Sequence, residues 1–190
     1  KIDAKYILEK QIISILLQYG HLEAEYEEMV IKSNEKGELI ESFENIKSKV
    51  FEKIFLDLQQ DEVELTDPTF RKLFNKLIST YQLKSDSAIN NLVFSESENL
   101  SHVVADLIME TDKYFLHSWD SKNIFVKNKT HDLGQLVSET ILTLRKNLIN
   151  DKINILKGEL KNKNNKNLLE DIINYNQLKK TVSKKLNRVL

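Results

Sequence analysis

The chain has 190 residues, a net charge of −1, 41% hydrophobic and 30% charged residues, and no cysteine. No disulfide scaffold or thiolate zinc site can form, a reducing cytoplasmic setting and no signal peptide are expected, and no apolar run nears the ~20 residues of a membrane span. Sheets and tight turns consume glycine and proline, and only four and one are present, so the expected fold class is all-α: an N-terminal multi-helix bundle, a long connecting helix and a C-terminal helical hairpin.

Ile7, Leu8, Ile12, Ile15, Leu16 and Tyr19 recur at three- and four-residue spacing and predict a first helix over Asp3–Tyr19, with Gly20 closing it. Residues 23–42 follow no clear period and hold a turn at Asn34-Glu35-Lys36-Gly37. Ile46, Val50, Ile54, Phe55 and Leu58 predict a second helix. An acidic link then leads to Thr66-Asp67-Pro68, where Asp67 can cap exposed amides and Pro68 can take the first helical position without losing a hydrogen bond. Phe70, Leu73, Phe74, Leu77, Ile78 and Tyr81 continue that helix on one face.

Shorter helices are expected near 88–94, 100–108 and 109–119, with Ser95-Glu96-Ser97-Glu98 at capping-box spacing before the second. The longest periodic segment runs from Leu133 to about Leu156 through Leu136, Val137, Ile141, Leu144, Leu148 and Ile155. A bend is expected at Asn150-Asp151, which are poor helix formers, and a stop at Gly158. Residues 161–167 are polar and of low complexity, a turn rather than core. A last helix over 168–186 aligns Leu169, Ile172, Tyr175, Val182, Leu186 and Val189. The expected boundaries are 1–132 for the bundle and 133–190 for the long helix and hairpin.

Candidate chemistry is thin. His102 and Asp106 share a face at i, i+4, and His131-Asp132 is the dipeptide of HD-type metal-dependent phosphohydrolases. Those enzymes complete a metal shell with a second imidazole and a second carboxylate, whereas this pair stands in a polar linker beside Gly134 and reads as a solvated helix start. Glu23, Glu25, Glu27 and Glu28, read as helical positions, do not face one another, and Glu110-Thr111-Asp112 reads the same way. Trp119 reads as a core plug. With no phosphate loop, nucleophile elbow or metalloprotease motif, neither enzymatic activity nor a metal or cofactor is expected of this chain.

The C-terminal quarter is different. Residues 151–190 carry ten Lys/Arg against four Asp/Glu, hence +6, and leave −7 for the rest. Tyr175 is the only aromatic in the last helix, too few for single-strand stacking, so direct nucleic-acid contact is not expected. Leu168, Leu169, Ile172 and Ile173 form adjacent pairs covering about half the helix circumference. One antiparallel neighbour cannot cover that much apolar surface, so a further partner is implied.

Two stretches resemble a known family. Residues 9–20, Glu-Lys-Gln-Ile-Ile-Ser-Ile-Leu-Leu-Gln-Tyr-Gly, resemble the opening helix of the C-terminal helicase-binding domain of bacterial DnaG-type primases. Residues 168–180, Leu-Leu-Glu-Asp-Ile-Ile-Asn-Tyr-Asn-Gln-Leu-Lys-Lys, are similar to that domain's final helix, including its Asn-Gln-Leu step. Residues 135–155 fall where the family has its connecting helix, and the resemblance is weakest between Gly20 and Leu65. It implies a bundle followed by a long helix and a hairpin that docks on the N-terminal domain of the hexameric replicative helicase. On this resemblance the partner-binding residues are Leu169, Ile173, Tyr175, Asn176, Leu178, Lys179, Val182 and Leu186. The zinc-binding and RNA-polymerising domains of such primases lie upstream, and a chain starting on Lys1 reads as a piece of a longer protein of that kind. The alternatives are the helicase's own N-terminal domain, which has a related fold, and an unrelated basic helical nucleic-acid-binding module.

Overall fold

Asp3 opens the first helix, α1 (Ala4–Tyr19), its carboxylate accepting from the Lys5 amide at 3.0 Å. This computed structural model describes residues 3–33, 37–83, 101–109, 129–162 and 166–189. The described elements are α1, strands β1 (Glu23–Ser33) and β2 (Leu39–Lys49), α2 (Val50–Gln60), α3 (Pro68–Gln82), a helical stretch at 101–109, α4 (Lys129–Asn162) and α5 (Lys166–Val189). The chain divides into two compact units, one of Glu9–Val137 and one of Lys1–Leu8 with Ser138–Leu190. The expected helices within 88–94 and 110–119, the Ser95–Glu98 capping box and Trp119 lie outside the described residues.

The chain is mostly helical, but the all-α expectation is corrected by β1 and β2. They pair antiparallel over eleven residues each, from Glu23 opposite Lys49 to Ser33 opposite Leu39. The cause is local. Glu23-Ala24-Glu25-Tyr26-Glu27 alternates polar and apolar residues with a period of two, so Ala24 and Tyr26 share one face, and both are buried. The four glutamates read above as helical positions therefore belong to a strand. Gly37 takes a positive φ of 77° in the connection between the strands. Ile46, expected in the second helix, lies on β2, and α2 starts four residues later, with the Lys49 amide donating to Glu52 Oε2 at 3.3 Å.

The hairpin leaves and rejoins the helical body at one place. The Val50 amide donates to Leu22 O at 2.9 Å and the Phe51 amide to Gly20 O at 3.1 Å. Lys53 of α2 clamps its base, lying 2.5 Å from Glu28 Oε1, 3.0 Å from Asp57 Oδ2 and over the Tyr26 ring. Gly134 of α4 packs so closely on β1 that a Cβ would stand 1.9 Å from the Glu25 carbonyl oxygen. Only glycine permits that approach.

Ile12, Ile13, Ile15, Leu16 and Leu17 make α1 apolar over more than half its circumference, and all five are buried. Phe51 of α2 stacks on Tyr81 of α3 at 5.1 Å between ring centres, and Tyr81 donates to Leu16 O at 2.5 Å. The Asp67-Pro68 start of α3 is as expected, Asp67 Oδ1 accepting from the Thr69 and Phe70 amides at 2.8 and 3.0 Å. Behind it sits Glu9 of α1, 1% exposed, whose carboxylate accepts from the Thr66 amide and hydroxyl, both at 2.7 Å, and from the Asp67 amide at 3.0 Å.

Burial pushes the phenols of Tyr81 and Tyr26 well up from their ordinary value, with the Asp57 carboxylate adding to the rise at Tyr26. An unfolded tyrosine ionises near pH 10, so above that pH the unfolded chain has released protons that the folded chain keeps. Stability from these two groups is full below about pH 10 and is lost as pH rises above it. Absorbance titration is expected to show two phenols that ionise only as the fold is lost.

α4 continues as helix through Asn150-Asp151 and Gly158 to Asn162, so the expected stop at Gly158 is absent. Poor helix formers cost at most about 0.7 kcal/mol each, and glycine about 1 kcal/mol. Burial of Ile149, Ile153 and Leu156 on the same stretch outweighs that. A Cβ at Gly158 would meet nothing within 4 Å. Gly158→Ala is therefore expected to stabilise the chain by about 0.5–1 kcal/mol, raising the thermal midpoint by about 2 °C or more.

Candidate functional site

The three residues between α4 and α5 separate helices whose apolar faces meet. Leu142, Ile149 and Ile153 of α4 form one buried cluster with Val182 and Leu186 of α5, and Tyr175 packs against it. At about 100° per residue, Ile172, Tyr175, Lys179, Val182 and Leu186 fall within one narrow stripe of α5. Ile172, Val182 and Leu186 are buried along it.

That stripe sorts the eight residues of the resemblance. Val182 and Leu186 hold the hairpin together, and Tyr175 supports them. Asn176 is engaged with its own helix, its Nδ2 donating to Ile172 O at 2.8 Å. Lys179 lies part-buried within the stripe. Leu169 and Ile173 are each 50% exposed, about 100° and 140° round from the stripe's centre on one flank, and Leu178, 48% exposed, is about 80° round on the other. The structure thus brings Leu169 and Ile173 together and separates them from Leu178. Lys180 and Lys184, both exposed, fall on the Leu169/Ile173 flank at the same helical spacing.

The adjacent pairs of the sequence explain this outcome. Ile172 turns in at 8% exposure and Leu168 is part-buried, while their neighbours Ile173 and Leu169 face out. Two half-exposed aliphatics one turn apart with two lysines further along give an apolar anchor with a basic border. That arrangement can bind a partner's apolar ridge bordered by acidic groups.

His102 and Asp106 are exposed on the 101–109 helix, and His131-Asp132 falls in the first turn of α4. Among the described residues no three His, Asp or Glu side chains converge to hold a metal. A second exposed apolar group escaped the sequence reading. Ile31, Leu39 and Phe43 of the β-hairpin are 63%, 76% and 44% exposed. The alternation at Glu23–Glu27 was the available signal for a strand there.

Compared with known proteins, residues 2–189 match the model of a family described as Domain of unknown function (DUF8430). No curated protein and no solved structure matches the chain.

Proposed function

The chain belongs to the DUF8430 family, and we propose that it is a protein-interaction module, the helicase-interaction domain of a replicative primase. The observation that carries this reading is the flank of α5, where Leu169 and Ile173 stay half exposed although the opposite face of the helix is packed. Exposed aliphatics paired at one turn are a docking feature when the helix's own core is already satisfied. The resemblance of residues 9–20 and 168–180 to the primase domain supplies the partner, the N-terminal domain of the hexameric replicative helicase. On this reading the chain recruits primer synthesis to the fork and modulates the helicase, and performs no catalysis itself.

The contact narrows to Leu169 and Ile173 as anchors, with Lys180 and Lys184 steering. The β-hairpin lies within the Gly20–Leu65 region where the resemblance is weakest, and is no part of this reading. Titration of the chain against a hexameric replicative helicase tests it. Saturable binding that is lost on removal of residues 168–190 supports the proposal, and absence of binding by the intact chain ends it.

A further inference from the structure

β1 and β2 pair in register to Ser33–Leu39, so odd-numbered residues of both strands share one face. On that face Ile31 stands opposite Glu41, with Leu39 and Phe43 as its diagonal neighbours, about 7–8 Å away. All three are exposed, at register positions that surround Glu41. The even-numbered face differs at its base, where Ala24 and Tyr26 are buried. Apolar side chains on an outer strand face are a standing hazard for unwanted association, and a two-stranded ribbon gains nothing by keeping them unless they are covered.

Charge indicates what covers them. Residues 23–49 hold eight glutamates and four lysines, a net −4, while α5 holds six basic and two acidic residues, a net +4. The charges share the faces of the apolar groups. Glu27 lies four strand residues from Ile31 on the same face, about 13 Å. Lys180 and Lys184 lie seven and eleven helix residues from Ile173, about 10 and 16 Å. An apolar group with acids at Glu27 and Glu41 on its own strand face therefore meets an apolar pair with lysines on its own helix flank. Both are exposed in the single chain.

We propose that the odd-numbered face of the hairpin, Ile31, Leu39 and Phe43, docks on the Leu169/Ile173 flank of α5 in a second copy of this chain. The two surfaces are unlike, so the contact is head-to-tail, and each added copy leaves one hairpin and one flank open. A handful of side chains falls below the ~1,200 Å² of a standard stable interface, so the association is weak and emerges at high concentration. The inference uses the flank proposed above for the helicase but not the helicase itself, and its test contains only this chain. Self-association and partner binding would then exclude one another on α5.

Sedimentation velocity over a wide concentration series is the experiment. The expected result is a mass that climbs past the dimer with concentration and falls back with added salt. Phe43→Lys and Ile173→Asp should each weaken association at least about tenfold. An equal mixture of the two variants should form a one-to-one dimer and nothing larger, because one supplies an intact flank and the other an intact hairpin. Ile31→Lys in place of Phe43→Lys should behave the same way, and unchanged circular dichroism establishes that each variant is folded. A wild-type chain that stays monomeric at every concentration overturns the proposal. So does a single variant that still dimerises like wild type, which would mean a symmetric contact, or a mixture of folded variants that stays monomeric.

Discussion

Glu9→Ala is expected to lower the unfolding free energy by about 3 kcal/mol, an effect comparable to truncating a core aliphatic such as Ile12 or Leu16. Its carboxylate is almost fully buried, and a buried charge is tolerated only when its lone pairs are used. Here three donors use them, two from Thr66 and one from Asp67. These backbone amides precede α3, so the negative charge also meets the positive end of that helix. Removing the side chain leaves two amides and a hydroxyl without their acceptor and opens a space beneath the Thr66–Pro68 turn. Charged hydrogen bonds contribute about 1.5–3 kcal/mol each, less here because Thr66 is solvent-exposed and can recover water. Glu9→Gln keeps the volume but replaces one acceptor oxygen by a donor, so about half the loss is expected. Urea unfolding at neutral pH measures both, and equal stability of Glu9→Ala and wild type would refute the account.

What could be read from the sequence follows from which interactions are local. α1, the Asp67-Pro68 start and the length of α3 rest on a 3.6-residue period and a side chain reaching its own neighbouring amides, and these appear as expected. The hairpin was hidden by an accident of spacing. Ile40, Phe43, Ile46 and Val50 fall at three- and four-residue intervals, as on a helix face, yet Ile40 and Ile46 lie on one strand face and Phe43 on the other. Scarce glycine pointed the same way, although one glycine with positive φ suffices for a ribbon of eleven residues a strand. The uninterrupted α4 shows the converse, local propensity overridden by burial along the helix. On α5 the sequence identified the apolar residues but not their division. Leu169 and Val182 are alike in composition, and only packing against Leu142, Ile149 and Ile153 makes one of them core and leaves the other exposed.

That division determines the variants that test the docking surface. Ile173→Asp combined with Leu169→Asp is expected to weaken binding to the helicase partner at least about a hundredfold while leaving the fold intact. Covering the exposed half of each aliphatic contributes about 1–1.5 kcal/mol on binding, so losing both removes about 2–3 kcal/mol. Each aspartate adds the cost of burying a carboxylate against an apolar surface, and both lie on the flank that carries Lys180 and Lys184, where they reverse the attraction for an acidic border. Two controls separate docking from folding. Leu178→Asp is equally exposed but on the opposite flank, so it should leave affinity within about twofold. Val182→Asp buries a charge in the α4–α5 cluster and should lose binding only by melting the hairpin, with a matching fall in helicity and thermal midpoint. Calorimetric titration together with circular dichroism reads all three. Equal loss from Leu178→Asp and the double variant would mean that α5 docks by general stickiness rather than by its Leu169/Ile173 flank. An undiminished double variant would move the contact off α5 altogether.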